Sequence, residues 1–93
     1  MIQGFKCQDT GRLFDGLRVA RWANIAAPAM RKLAMLHAAA VLSDLRAPPG
    51  NRLEALAGNR QGQHSIRVND QWRVCFKWSE GGPIDVEIVD YHA

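Results

Sequence analysis

The stretch Gln63-His64-Ser65-Ile66-Arg67-Val68-Asn69-Asp70-Gln71-Trp72-Arg73-Val74-Cys75-Phe76-Lys77-Trp78 decides the fold. His64, Ile66 and Val68 alternate with Gln63, Ser65 and Arg67, and Trp72, Val74, Phe76 and Trp78 alternate with Arg73, Cys75 and Lys77. A period of two is the mark of strands with one buried face. A one-residue slip would turn a whole apolar set outward, so Val68 must face Trp72 across the turn Asn69-Asp70-Gln71. Arg67 then faces Arg73. The same rule applied to the loop from Ser79 to Pro83 pairs Trp78 with Ile84 and Phe76 with Val86, and sets Lys77 opposite Asp85. Like charges directly across strands cost up to about 1 kcal/mol unless an anion or a carboxylate sits between them. The arginine pair therefore reads either as a solvated face with splayed side chains or as a phosphate site. In this register Tyr91 shares the face, diagonal to Arg73, and Asp90 and His92 extend beyond the last core residues.

Upstream the period changes. Pro28 suits the first turn of a helix in which Met30, Leu33, Ala34, His37 and Val41 recur at helical spacing as far as Leu42. A shorter helix is expected over Gly11 to Leu17, with Asp9 or Thr10 as N-cap, after a short strand within Met1 to Cys7. Pro48-Pro49-Gly50-Asn51 forces a loop before a brief extended piece from Arg52 to Leu56, and residues 58–62 form a second loop. Strand, two helices, then an antiparallel run of three or four strands makes an α+β fold with the helices on one sheet face. Trp72 and Trp78 read as core, His37 as a packed or boundary residue, and Trp22 falls outside the pattern.

A chain of 93 residues is expected to be one domain, 1–93, too small for a catalytic and a separate regulatory unit. No apolar run approaches the roughly 20 residues that span a bilayer, and no signal peptide is evident, so a cytoplasmic protein with no membrane partner is expected. Cys7 and Cys75 stand far apart in strand-like stretches, which suggests neither a disulfide framework nor metal spacing. No phosphate-cradling glycine motif, nucleophile elbow or metal-spaced histidine group is present, so neither a metal nor a cofactor is expected. The net charge of +3 conceals an asymmetry: residues 1–51 hold seven Lys or Arg against three Asp, while residues 52–93 hold five against six. Arg12, Arg18, Arg21, Arg31 and Lys32 in the basic half are candidate contacts for a polyanion or an acidic protein, unless they form a solvated helix face.

Three segments together resemble the HigB toxins of the RelE/ParE superfamily: residues 48–56, Gly62 through Phe76 with its Gln71-Trp72-Arg73, and Val86 through the terminal Asp90-Tyr91-His92. The likeness runs over nearly the whole chain. It implies a compact, microbial-RNase-like α+β fold, cleavage of mRNA in the ribosomal A site, and neutralisation by a helix-turn-helix HigA-type antitoxin encoded beside the toxin. Carried over position by position, Arg73, Asp90, Tyr91 and His92 match the family's catalytic motif, and Arg67, Glu54 and Arg60 stand as substrate contacts. Some members carry a histidine where this chain has Glu54 and a lysine where it has Ala57. The roles supplied there pass to His92, Glu54 or a remaining arginine. Because RNA carries its own nucleophile, the 2′-hydroxyl, such an enzyme must position and stabilise: Arg73 with Arg67 at the phosphate, His92 in proton transfer, Tyr91 stacking or hydrogen bonding, Asp90 orienting. Two rivals share the sequence evidence, a ParE-like gyrase inhibitor and a non-enzymatic nucleic-acid-binding module. The terminal Asp90-Tyr91-His92 argues against the first, and a ribosome-dependent cleavage assay separates all three.

Overall fold

The period-two stretch forms the centre of one antiparallel sheet. In the computed structural model, which describes residues 1–91, β1 (Glu54–Ala55), β2 (His64–Arg67), β3 (Trp72–Ser79) and β4 (Gly82–Asp90) lie side by side in chain order. Ahead of them come α1 (Gln8–Phe14), a 3-10 segment (Ala20–Ile25) and α2 (Ala26–Ala38). Ile66, Val74, Phe76, Val86 and Ile88 from the sheet meet Leu13, Trp22, Ile25, Leu33 and Leu36 from the helical half in a single core. Both helices thus cover one sheet face, as the sequence led us to expect. Leu33, Leu36, Ile66 and Phe76 are wholly buried, and each such side chain contributes about 1.5–3 kcal/mol over its exposed state.

The two arginines face one another as the pattern requires: Ile66 is opposite Val74 and Arg67 opposite Arg73, with the Val68 amide bonded to the Trp72 carbonyl at 2.9 Å. The next hairpin departs from expectation. Cys75 opposes Glu87, but beyond it Lys77 opposes Ile84 and Trp78 opposes Pro83, so the register slips by one at a bulge. Asp85 takes up the extra residue in the left-handed region at φ 52°. The bulge shortens the loop to Glu80-Gly81 yet keeps Val86 and Ile88 in the core. Lys77 still reaches Asp85, 3.8 Å away, although it no longer lies opposite it.

Other expectations need correction at the element ends. The amino-terminal strand reduces to one parallel bridge between Phe5 and Val86, supported by Gln3 and Lys6 amides bonded to the Pro83 and Val86 carbonyls. It lies so close to β4 that a Cβ at Gly82 would come within 2.4 Å of the Met1 carbonyl oxygen, and Gly82 itself sits at φ +125°. The first helix starts and stops about three residues early because the proposed caps are used elsewhere. Thr10 is buried, its hydroxyl accepting the Ile88 amide at 3.1 Å, and Asp9 pairs with Arg21 at 3.4 Å. The second helix ends at Ala38 rather than Leu42, since Asp44 draws the Ala40 and Val41 amides at 2.9 and 3.2 Å. Its buried stripe is Ala29, Leu33 and Leu36, leaving Ala34 and Val41 exposed. Trp22, unplaced by the pattern, is the largest fully buried side chain.

Asn51 fastens the loop between helices and sheet. Its side chain is buried; Nδ2 donates to the carbonyls of Leu45 and Ala47, both at 3.2 Å, and Oδ1 accepts from Lys32 Nζ at 2.5 Å. Burial, then the charges of Arg31 and Arg67, hold the Lys32 amine below its ordinary pKa. Removing a shared partner strands each remaining buried polar group at about 1–3 kcal/mol. Asn51→Ala should therefore lower unfolding free energy in urea by about 2–3 kcal/mol with an unchanged m-value. A loss under about 0.5 kcal/mol, the size of an ordinary surface change, would mean that this network does not hold the loop.

Candidate active site

The sheet face turned away from the helices carries rows of polar residues. One row runs from Glu54 through Ser65 and Cys75 to Glu87, and the neighbouring row pairs Arg67 with Arg73 and Arg73 with Val89. This face is not a solvated one. Ser65, Arg73 and Cys75 are buried; the Arg52 carbonyl accepts from Arg73, and Arg60 pairs with Glu87. Burial raises the pKa of the Cys75 thiol, which keeps it protonated and inert.

Arg73 is the organising group. Its side chain is only 8% exposed; Nε donates to Ser65 Oγ at 2.7 Å and Nη2 to the Arg52 carbonyl at 2.6 Å. Nη1 lies 3.5 Å from Glu54 Oε1. Its guanidinium also lies 5.6 Å from the centroid of the Tyr91 ring, within cation–π range. Arg52 holds its carbonyl toward Arg73 with a left-handed backbone, φ 45°, unusual for a residue with a side chain. The like-charge cost of facing arginines is met separately on each strand, by Glu54 for Arg73 and by Asp70 for Arg67, to which Arg67 Nη2 donates.

These side chains line a cavity of about 200 Å³ formed by Arg52, Glu54, Arg67, Asn69, Asp70, Arg73 and Tyr91. Three arginines against two carboxylates leave its walls net positive. Two larger hollows exist, one largely apolar beside the helices and one near Arg46 and His64, but the grouped charges and the buried cation are here. The hairpin tip fixes the cavity's rim. Asn69 Oδ1 accepts the Gln71 and Trp72 amides at 2.9 and 2.8 Å, closing the turn. Gln71 in turn reaches the end of β4, its carbonyl accepting the Tyr91 amide at 2.6 Å and its Nε2 donating to Asp90 Oδ2 at 3.1 Å. Tyr91 is thereby placed over Arg73.

Of the residues singled out in sequence, Arg73, Tyr91, Arg67 and Glu54 come together in this cavity, and Asp90 is tied to its rim. Arg60 does not line it; it bonds Gln63 and pairs with Glu87 at 3.7 Å. His92 lies outside the described residues. Arg52, Asn69 and Asp70 were missed. Arg52 contributes a backbone carbonyl from a left-handed residue at φ 45°, for which the sequence holds no signal. Of the basic amino-terminal group, Arg12 and Arg21 pair with Asp9, Arg21 also lies over the Trp22 ring, and Lys32 bonds Asn51. His37 has a packing role, its Nδ1 accepting the Ile2 amide at 3.2 Å beside Phe14.

Comparison with known proteins bears on the same stretch of chain. The profile of the family described as RelE-like toxin of type II toxin–antitoxin system HigB matches residues 12–92. Toxin HigB-1 of Vibrio cholerae serotype O1 is 59% identical over 51 residues, covering 55% of this chain and 54% of that protein. An uncharacterized protein of Haemophilus influenzae is 40% identical over 63 residues, covering 68% of this chain and 61% of its own. The matched stretches span little more than half the length of these curated relatives.

The geometry predicts how the cavity takes an anion. Glu54 is 48% exposed and is the carboxylate that an incoming phosphate must displace from Arg73. A half-exposed ion pair is worth about 0.5–1 kcal/mol, so Glu54→Gln should tighten binding of a 2′-deoxy dinucleotide about two- to fivefold. Arg73→Lys, which keeps the charge and loses the planar fork, should weaken it. Chemical-shift titration gives both constants; an unchanged affinity in Glu54→Gln would show that the anion binds elsewhere.

Proposed function

The chain belongs to the RelE-like HigB toxin family of type II toxin–antitoxin systems, and on that premise we propose that it is a metal-independent endoribonuclease that cuts mRNA in the ribosomal A site and stops translation. The observation that carries this reading is Arg73: a buried, permanently charged fork whose outer edge faces a net-positive cavity beside Tyr91. RNA brings its own nucleophile in the 2′-hydroxyl, so the protein's task is to align that oxygen with the scissile phosphate and to stabilise the charge that grows on it. Arg73, preorganised by Ser65 and the Arg52 carbonyl, meets the phosphoryl oxygens without reorganising as the pentavalent state forms. Arg67 and Arg52 add positive charge from the cavity walls. Tyr91 offers a ring for base stacking and a hydroxyl for hydrogen bonding.

Proton transfer falls to His92, because imidazole is the side chain suited to moving protons near neutral pH, with Glu54 as the candidate base at the 2′-hydroxyl. The half-exposed carboxylate of Glu54 already sits against the cation that would hold the phosphate. The family implies an antitoxin partner; a helix-turn-helix protein of the HigA type is the form we propose, with the ribosome and mRNA as the other partners and the cytoplasm as the place of action. Among the described residues no helix is long and apolar enough to cross a membrane.

Induction without the antitoxin, followed by mapping of mRNA 5′ ends, should show cuts at a fixed position within codons. In single-turnover cleavage on saturating ribosomes, Arg73→Lys should slow the chemical step by about 10²–10³-fold with some loss of melting temperature, since it strands Ser65 and the Arg52 carbonyl. His92→Gln should slow it by about 10²–10⁴-fold with a melting temperature close to wild type. Loss of binding is masked at saturation, so what remains is chemistry. A His92→Gln rate equal to wild type would transfer the proton role to Glu54. Gyrase inhibition with intact mRNA would overturn the nuclease reading altogether.

A further inference from the structure

We propose that the hollow between the end of α1 and the first turns of α2 is the docking groove for an acidic amphipathic helix of the antitoxin. The proposal rests on the toxin reading and adds the surface and the chemistry of its partner. The hollow has a volume of about 490 Å³ and shares no lining residue with the cavity around Arg73. Its floor is small and apolar, with Ala23, Ala26 and Ala27 at helical spacing and Met30 one turn on. Small residues let another backbone approach closely. The opposite wall is the turn after α1, where Leu17 is 54% exposed, one of the few large apolar side chains left in solvent among the described residues. Such a pocket takes side chains at i, i+3 or i+4, and i+7 of an incoming helix.

Charge says what borders those side chains. Among the described residues Arg18 is the one charged side chain lining the hollow, and no carboxylate lines it. Exposed Arg31 lies four residues after Ala27, on the same helix face one turn beyond the pocket. Arg12, in the last turn of α1, has a side chain 58% exposed and is partly offset by Asp9, 4.0 Å away. An apolar trough with a basic margin fits a helix whose hydrophobic stripe is edged by Asp and Glu. RNA fits it poorly, because single strands are held by aromatic platforms and the lining holds no aromatic side chain.

The test uses the full chain and the product of the gene beside its own. Calorimetric titration of wild type, Leu17→Glu, Ala27→Glu and Arg18→Glu should give at least a tenfold weakening for the first two, which place a carboxylate in the trough. Arg18→Glu should lose several-fold in affinity and flatten the salt dependence. All three positions lie off the Arg73 cavity, so mRNA cleavage without antitoxin and the melting temperature should stay at wild-type values. Hydrogen exchange in the complex should slow over residues 13–30. Wild-type affinity in Leu17→Glu and Ala27→Glu, with protection over residues 52–73 instead, would overturn the groove while leaving the toxin reading intact. Failure of the wild-type chain to bind that product at all would sink the partner reading and the groove with it. A homodimer of the toxin alone that Leu17→Glu dissolves would assign the groove to a second copy and overturn the proposal.

Discussion

Arg73 carries a guanidinium cation on a side chain that is only 8% exposed. A buried cation is tolerable only when its N–H groups are matched, and here the matching is lopsided. Neutral oxygens of Ser65 and Arg52 hold one edge at 2.7 and 2.6 Å, while the other edge meets the half-exposed Glu54 carboxylate at 3.5 Å. The fixed edge supplies orientation and the loose edge supplies exchange. On the proposed reading, a phosphate entering the cavity would replace one anion with another, so the buried charge would not be left alone.

Much of the remaining structure serves that lopsided arrangement. The Arg52 carbonyl points inward because its backbone is left-handed at φ 45°, a conformation held by the preceding residue, Asn51, whose buried amide ties the loop to Leu45, Ala47 and Lys32 of the helical half. On the other side, Asn69 and Gln71 close the hairpin tip and capture the end of β4, which sets Tyr91 against the guanidinium. The hydrophobic core contributes the rigid sheet on which both supports are mounted. Burial of Ser65 beside Arg73 needs Ile66 and Val74 locked on the opposite face.

The facing arginines were legible because strand alternation and a three-residue turn leave one register that buries Ile66, Val68, Trp72 and Val74 together. The bulge at Asp85 was not, since an aspartate gives no sign that its φ will be positive and the apolar pattern on either side is intact. Helix ends were misplaced for a related reason: Thr10 and Asp44 have the chemistry of caps, but which amide each one binds is settled by tertiary packing. Arg52 contributes to Arg73 through its carbonyl, a group every residue possesses, so no side-chain reading could single it out. Glu54 entered through family resemblance, whereas the strand register already set Tyr91 diagonal to Arg73, and the sheet pairing accounts for why both meet it.

The most direct measurement of this account is the position of the scissile phosphate. Electron cryomicroscopy of the toxin on a ribosome programmed with mRNA carrying a 2′-O-methyl group at the cleavage nucleotide would trap the substrate before reaction. The account predicts a phosphate oxygen about 3 Å from the Arg73 guanidinium, Tyr91 against the neighbouring base, and the Glu54 carboxylate moved off Arg73. A phosphate held elsewhere, with the Arg73–Glu54 pair still closed, would contradict it.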